Sequence, residues 1–147
     1  VLIKGHALGA LHAILINQKI ISKKILNNMK QKGEIGGQLD IYNLKFKPFD
    51  NYGEIVPGMS WCKISYDKEN GGQGTYALKM EPGAKSLEHE HTGFEEFLML
   101  DGELIDPDGK TFKKGDFVSF EPGSKHSSHT INGCLVLVFM RGINQPL

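Results

Sequence analysis

From Leu44 onward a turn cuts the chain every few residues, and that spacing limits what it can fold into more than any other feature. The apolar or alternating runs "WCKISY", "TYALKM", "EEFLML", "DFVSF" and "CLVLVFM" are separated by "KENGGQG", "EPG", "DPDG", "KKGD", a second "EPG" and "NG". Short strands at this spacing predict an all-β sandwich or barrel. "LIDPDGKTF" carries a hairpin signal, because Asp-Gly supplies positive φ at little cost. With 147 residues the chain is long enough to bury one core without metal or disulfide staples.

The N-terminal part has a different texture. Residues 1–33 hold six lysines and no acid, which leaves 11 basic against 17 acidic residues in the remainder, a net of −6. Leu8, Leu11, Ile14, Leu15, Ile21, Ile25 and Met29 recur at roughly three-to-four spacing, which predicts an amphipathic helix over residues 6–29. Residues 1–32 are therefore read as a basic helical extension and 33–147 as the folded domain, with the glycine-rich "KGEIGGQLD" as the join. Three explanations of the extension stay open: a docking helix at a dimer contact, a targeting segment, or an addition upstream of a start at Met29. His6 and His12 read as helix-face residues.

The formal net charge is zero, which gives no general pull toward nucleic acid or a membrane surface. No apolar run approaches the ~18 residues of a membrane span. Two widely separated cysteines, Cys62 and Cys134, suggest a reduced, cytoplasmic protein.

The chemistry gathers in "PGAKSLEHEHTGFEEFLMLDGEL". His89 and His91 are two apart, so on a strand they point to one face. Glu95 keeps that parity if the strand runs on regularly; Glu96 faces the other way. A further imidazole, His126, follows the Pro-Gly turn in "EPGSKHSSH". Three imidazoles and one carboxylate suit Zn, Fe, Mn, Ni or Cu better than Ca or Mg.

These residues resemble the two motifs of the cupins. Gly83, His89, His91, Glu95 and Gly102 fit the first motif, G-x5-H-x-H-x3,4-E-x6-G, without a gap. Gly115, Pro122, Gly123 and His126 follow the second, with two departures: Pro122 and Gly123 are adjacent, and Thr130 stands where an asparagine is expected. The resemblance implies a double-stranded β-helix, or jelly-roll barrel, over about residues 44–142. It also implies one divalent transition metal per chain (Fe, Zn, Mn or Ni) on His89, His91, Glu95 and His126. "HEHTGFEEFLMLDGEL", "GDFVSFEPGSKHSS" and "GCLVLVFMRGINQPL" further resemble the cupin subgroup named for the ChrR anti-sigma factor. The anti-sigma role is not implied, because the N-terminus lacks a Cys-x2-Cys and is too short for a second zinc domain.

Two functions follow as expectations. One is a metal-dependent enzyme on a small organic substrate, with dioxygenase-type cleavage of a diketone-like or enolisable compound as the leading version. The other is a non-catalytic zinc-binding sensory module. A homodimer is expected from the resemblance. Glu96 is the one candidate catalytic residue, as a second carboxylate or general base; otherwise it is an outward strand residue paired with a lysine. Phe97 and Met99, which share Glu95's parity, are expected inside the barrel. His129 is expected at the surface, and Arg141 in a strand-end ion pair.

Overall fold

The alternation in "CLVLVFMR" becomes a strand in which Cys134, Val136, Val138 and Met140 are buried and the residues between them are not. The structure, a computed structural model, describes residues 38–147. The chain divides into Val1–Asp40 and Ile41–Leu147, and every strand among the described residues lies in the second unit. The predicted helix over residues 6–29 lies outside the described residues.

After a 3-10 turn at Ile41–Asn43 come ten strands: β1 (Lys47–Pro48), β2 (Met59–Lys63), β3 (Gln73–Met80), β4 (His89–His91), β5 (Glu95–Ile105), β6 (Thr111–Lys113), β7 (Phe117–Phe120), β8 (Lys125–His126), β9 (Cys134–Arg141) and β10 (Asn144–Pro146). All pair antiparallel. A larger sheet runs β1-β2-β3-β9-β5-β6, with β7 also paired to β5, and a three-stranded sheet runs β10-β4-β8. The expected all-β architecture is present, and no α-helix occurs among the described residues.

The period of two along β5 and β9 turns Phe97, Met99, Val136 and Val138 inward, as the parity of Phe97 and Met99 predicts. One end of this core is aromatic. Trp61 meets Phe49 and Tyr76 edge-on, with centroids 4.9 and 5.4 Å apart, and the indole N–H donates to Asp50 at 3.2 Å. Cys134, in register with Met80 and Gly102, is buried, and burial pushes its thiol up to about 12. That makes it a packing residue with no thiolate chemistry near neutral pH. Thr130, at the position where the motif expects asparagine, is buried and accepts from the Gly133 N–H at 3.0 Å, closing the turn into β9.

Gly102 shows why one motif glycine is needed. Its φ is +73°, and a Cβ there would stand 2.0 Å from the Gly133 carbonyl oxygen, where the β5–β9 ladder shifts register after Met99. Neither the strain nor the clash can relax without moving backbone. Gly102→Ala is therefore expected to cost about 3 kcal/mol, read as a lower denaturation midpoint. A loss below about 0.5 kcal/mol would contradict this packing.

Candidate metal centre

The short sheet sets the imidazoles. β4 carries His89 and His91, both buried, and β8 places His126 directly across from His89 in register. The larger sheet contributes Glu95, the first residue of β5. Gly93 makes the passage between them possible. A Cβ there would stand 2.2 Å from the Arg141 carbonyl oxygen, so the chain crosses from one sheet to the other in close contact with the end of β9. The three rings form a near-equilateral triangle, with centroids 4.8–4.9 Å apart. Glu95 Oε1 is 3.7 Å from His91 Nε2 and 3.8 Å from His126 Nε2.

Each imidazole is held by Nδ1 from outside the cluster. His89 Nδ1 lies 2.8 Å from the Leu87 carbonyl oxygen, to which only an N–H can donate. His91 Nδ1 is 2.9 Å from Ser124 Oγ, whose own proton goes to the Glu121 carbonyl at 2.5 Å. That hydroxyl must therefore accept, and His91 Nδ1 must donate. His126 Nδ1 is 3.5 Å from the buried Asp106 carboxylate, which also takes the Ser128 hydroxyl at 2.5 Å. With Nδ1 protonated in each ring, every Nε2 is left as a lone pair.

Those three Nε2 atoms are buried and have no hydrogen-bond partner. Buried polar atoms are otherwise almost always satisfied, and each orphan costs about 1–3 kcal/mol. Three of them converging on a carboxylate fit a cation. One ligand atom each from His89, His91, Glu95 and His126 lie within 4.8 Å of one another. A slight contraction brings all four to the roughly 2.0–2.2 Å that imidazole and carboxylate ligands take up. The donor set, with no thiolate, suits a first-row transition metal.

The electrostatics agree with that chemistry. Burial disfavours the Glu95 charge, but His126 and His91 outweigh it and hold the carboxyl well below the usual range. Burial lowers His89. Burial also opposes charge on His126, yet Asp106 and Glu95 raise it to about 9. Without an ion, a second proton, on His126 Nε2, balances the buried carboxylate, and a bound ion would take that proton's place. Phe120 closes one side, 4.1 Å from the His126 ring and stacked on His91 at 5.3 Å. On the other side a cavity of about 50 Å³ opens, reached by His89, Glu95 and His126 and walled largely by Phe49, Met59, Phe97 and Val138.

Glu96 is not brought to the cluster. Alternation along β5 turns it to the opposite face, where it pairs with Arg141 at 3.0 Å and takes the Ser119 hydroxyl at 3.4 Å. Its partner is arginine, where lysine was expected, and this is also the strand-end ion pair expected of Arg141. His129 is exposed, as expected.

Four residues at the site carry no sequence signal that marks them as such. Asp106 reads as a turn residue of "DPDG", Ser124 as filler in "PGSKH", and Asn144 as part of a polar tail. Tyr52 lies outside every strand, yet its ring is 6.1 Å from that of His89. Burial and the Glu95 charge push the Tyr52 phenol well above its ordinary value, so it stays an O–H. Of the four, Asp106 has the clearest consequence. Its carboxylate fixes the His126 tautomer and aims its ring, so Asp106→Ala is expected to weaken metal binding about 10–100-fold. Competition with a chromophoric chelator reads this, and unchanged affinity would refute it.

Comparison with known proteins agrees with the fold. The sequence profile of the ChrR Cupin-like domain matches residues 41–144. No curated protein sequence matches the chain. Among solved structures, an RmlC-like cupin protein from Ralstonia eutropha JMP134 is similar with a TM-score of 0.63 and 18% identity, over 76% of this chain and 71% of that one. The polyketide cyclase RemF from Streptomyces resistomycificus is similar with a TM-score of 0.61 and 18% identity, over 77% and 86%. An acetylacetone dioxygenase from Acinetobacter johnsonii is similar with a TM-score of 0.56 and 16% identity, over 74% of each chain. No helix among the described residues is long and apolar enough to cross a membrane.

Proposed function

From the premise that this chain belongs to the ChrR Cupin-like domain family, we propose that it is a mononuclear metal-dependent enzyme acting on a small organic molecule. The observation that carries this reading is the set of three buried Nε2 lone pairs, each locked in place through Nδ1 and all facing Glu95. A divalent transition metal bound there supplies Lewis acidity toward a substrate oxygen, or redox chemistry with dioxygen if it is iron. The chain's own part is to hold the four ligand atoms and present an apolar cavity beside them. Phe120 excludes water from the opposite side. Oxygen-dependent cleavage of a diketone-like or enolisable compound is the favoured version, supported by fold likeness to an acetylacetone dioxygenase. Glu96, turned away in its pair with Arg141, has no part in it.

A second reading has its own support. Four protein ligand atoms are enough to close a tetrahedral zinc, which would suit a sensory module of the kind after which the family is named. X-ray absorption on the protein as purified separates the two. A six-coordinate redox metal with ligands beyond the three histidines and one glutamate is expected. Four-coordinate zinc with no added ligand would overturn the enzyme reading. Oxygen uptake with 2,4-pentanedione as the probe, measured at an electrode, then tests the favoured version; no uptake above the metal-stripped protein would sink it.

A further inference from the structure

Besides the three imidazole nitrogens, one more buried side-chain atom has no partner among the described residues, and it lies beside them. Asn144 is the first residue of β10, paired in register with His91, and is 4% exposed. Its amide donates through Nδ2 to Glu95 Oε2 and also faces the Tyr52 phenol. The orientation of the amide follows from chemistry, because an ionised carboxylate only accepts and so takes the NH2 side. Oδ1 is thereby turned away from Glu95 and left without a hydrogen bond. Asn144 lines the same cavity as His89, Glu95 and His126.

We propose that Asn144 Oδ1 is a binding subsite for the hydroxyl or enol O–H of a small neutral carbonyl compound whose other oxygen meets the metal. The proposal rests on the metal-centre reading and specifies its ligand. The acceptor needs a donor, since a buried acceptor left empty costs about 1–3 kcal/mol. The neighbouring Glu95 cannot supply one, and the Tyr52 phenol oxygen is met by the NH2 side of the amide, leaving Oδ1 without a partner. The remaining wall is chiefly apolar, and no Lys or Arg among the described residues lines it, so of these groups only the metal would meet a negative charge. A cavity of about 50 Å³ also limits the ligand to a few carbons unless side chains move. A short α-hydroxy ketone or an enolised diketone has the required pair: one oxygen to ligate, one O–H to give.

The 147-residue chain is loaded with zinc, its metal content is measured by elemental analysis, and binding is followed by protein NMR titration. The probes are hydroxyacetone and fluoroacetone, in which fluorine replaces the hydroxyl at near-constant size. The wild type is expected to bind hydroxyacetone about 10-fold more tightly. In Asn144→Ala that preference is expected to shrink to about twofold, the residue of any chelation by the hydroxyl. Equal affinities in the loaded wild type overturn the subsite whether or not the variant folds. So does a preference that the variant keeps in full. A wild type that takes up no zinc overturns the metal centre first and the subsite with it, and elemental analysis tells the two failures apart.

Discussion

His91→Ala is expected to purify with less than about a tenth of an ion per chain, where the wild type carries about one. His91 is 1% exposed, its Nδ1 is tied to Ser124, and its Nε2 faces Glu95 at 3.7 Å. No other nitrogen among the described residues can take its place, because the neighbouring positions are the other ligands and the Phe120 ring. The matched control is Glu96→Gln, which removes a carboxylate one residue from a ligand but on the far face of β5. It is expected to keep full metal. Elemental analysis of both proteins from the same metal-replete growth decides the matter. Full occupancy in His91→Ala would remove His91 from the site, and loss in Glu96→Gln would mean that parity along β5 has been misassigned.

Stripping the wild type with a chelator is expected to lower its melting temperature by roughly 10–20 °C. A ligand present at about 1,000 times its Kd stabilises the native state by about 4 kcal/mol, and a domain near this size shifts by a few degrees per kcal/mol. The reason is local. In the stripped protein three Nε2 atoms and a buried carboxylate lose their common partner, and a proton is a poorer substitute than a divalent ion. The chelator should have almost no effect on His91→Ala, so the two proteins should melt closer together without metal than with it. Differential scanning calorimetry with and without chelator reads both numbers. An unchanged wild-type melting temperature would show that the cluster holds no ion that matters to the fold.

Most of the all-β architecture was legible because its signals are local. Alternation in "CLVLVFM" and "EEFLML" reports the strand period, and the glycine- and proline-bearing breaks report where the chain turns. His89, His91 and Glu95 could be grouped for the same reason, since they lie within seven residues. Parity also favoured Glu95 over Glu96, although the strand does not run on between them. β4 ends at His91 and β5 begins at Glu95, in a different sheet. His126 could be attached only through a second motif far downstream.

What holds the ligands was not legible. Asp106, Ser124, Asn144 and Tyr52 have no spacing relation to the histidines. They arrive through strand register, the turn after β7 and the packing of one sheet on the other. The pairing of Asn144 with His91 joins residues more than fifty apart, and that of His89 with His126 nearly forty. Residue type and local period are written along the chain, so the strands and the ligand identities could be read there. The tautomer of each imidazole, the free lone pairs and the unpaired amide oxygen depend on which distant atoms fill the remaining hydrogen-bond positions, and those contacts exist only once the two sheets close on each other.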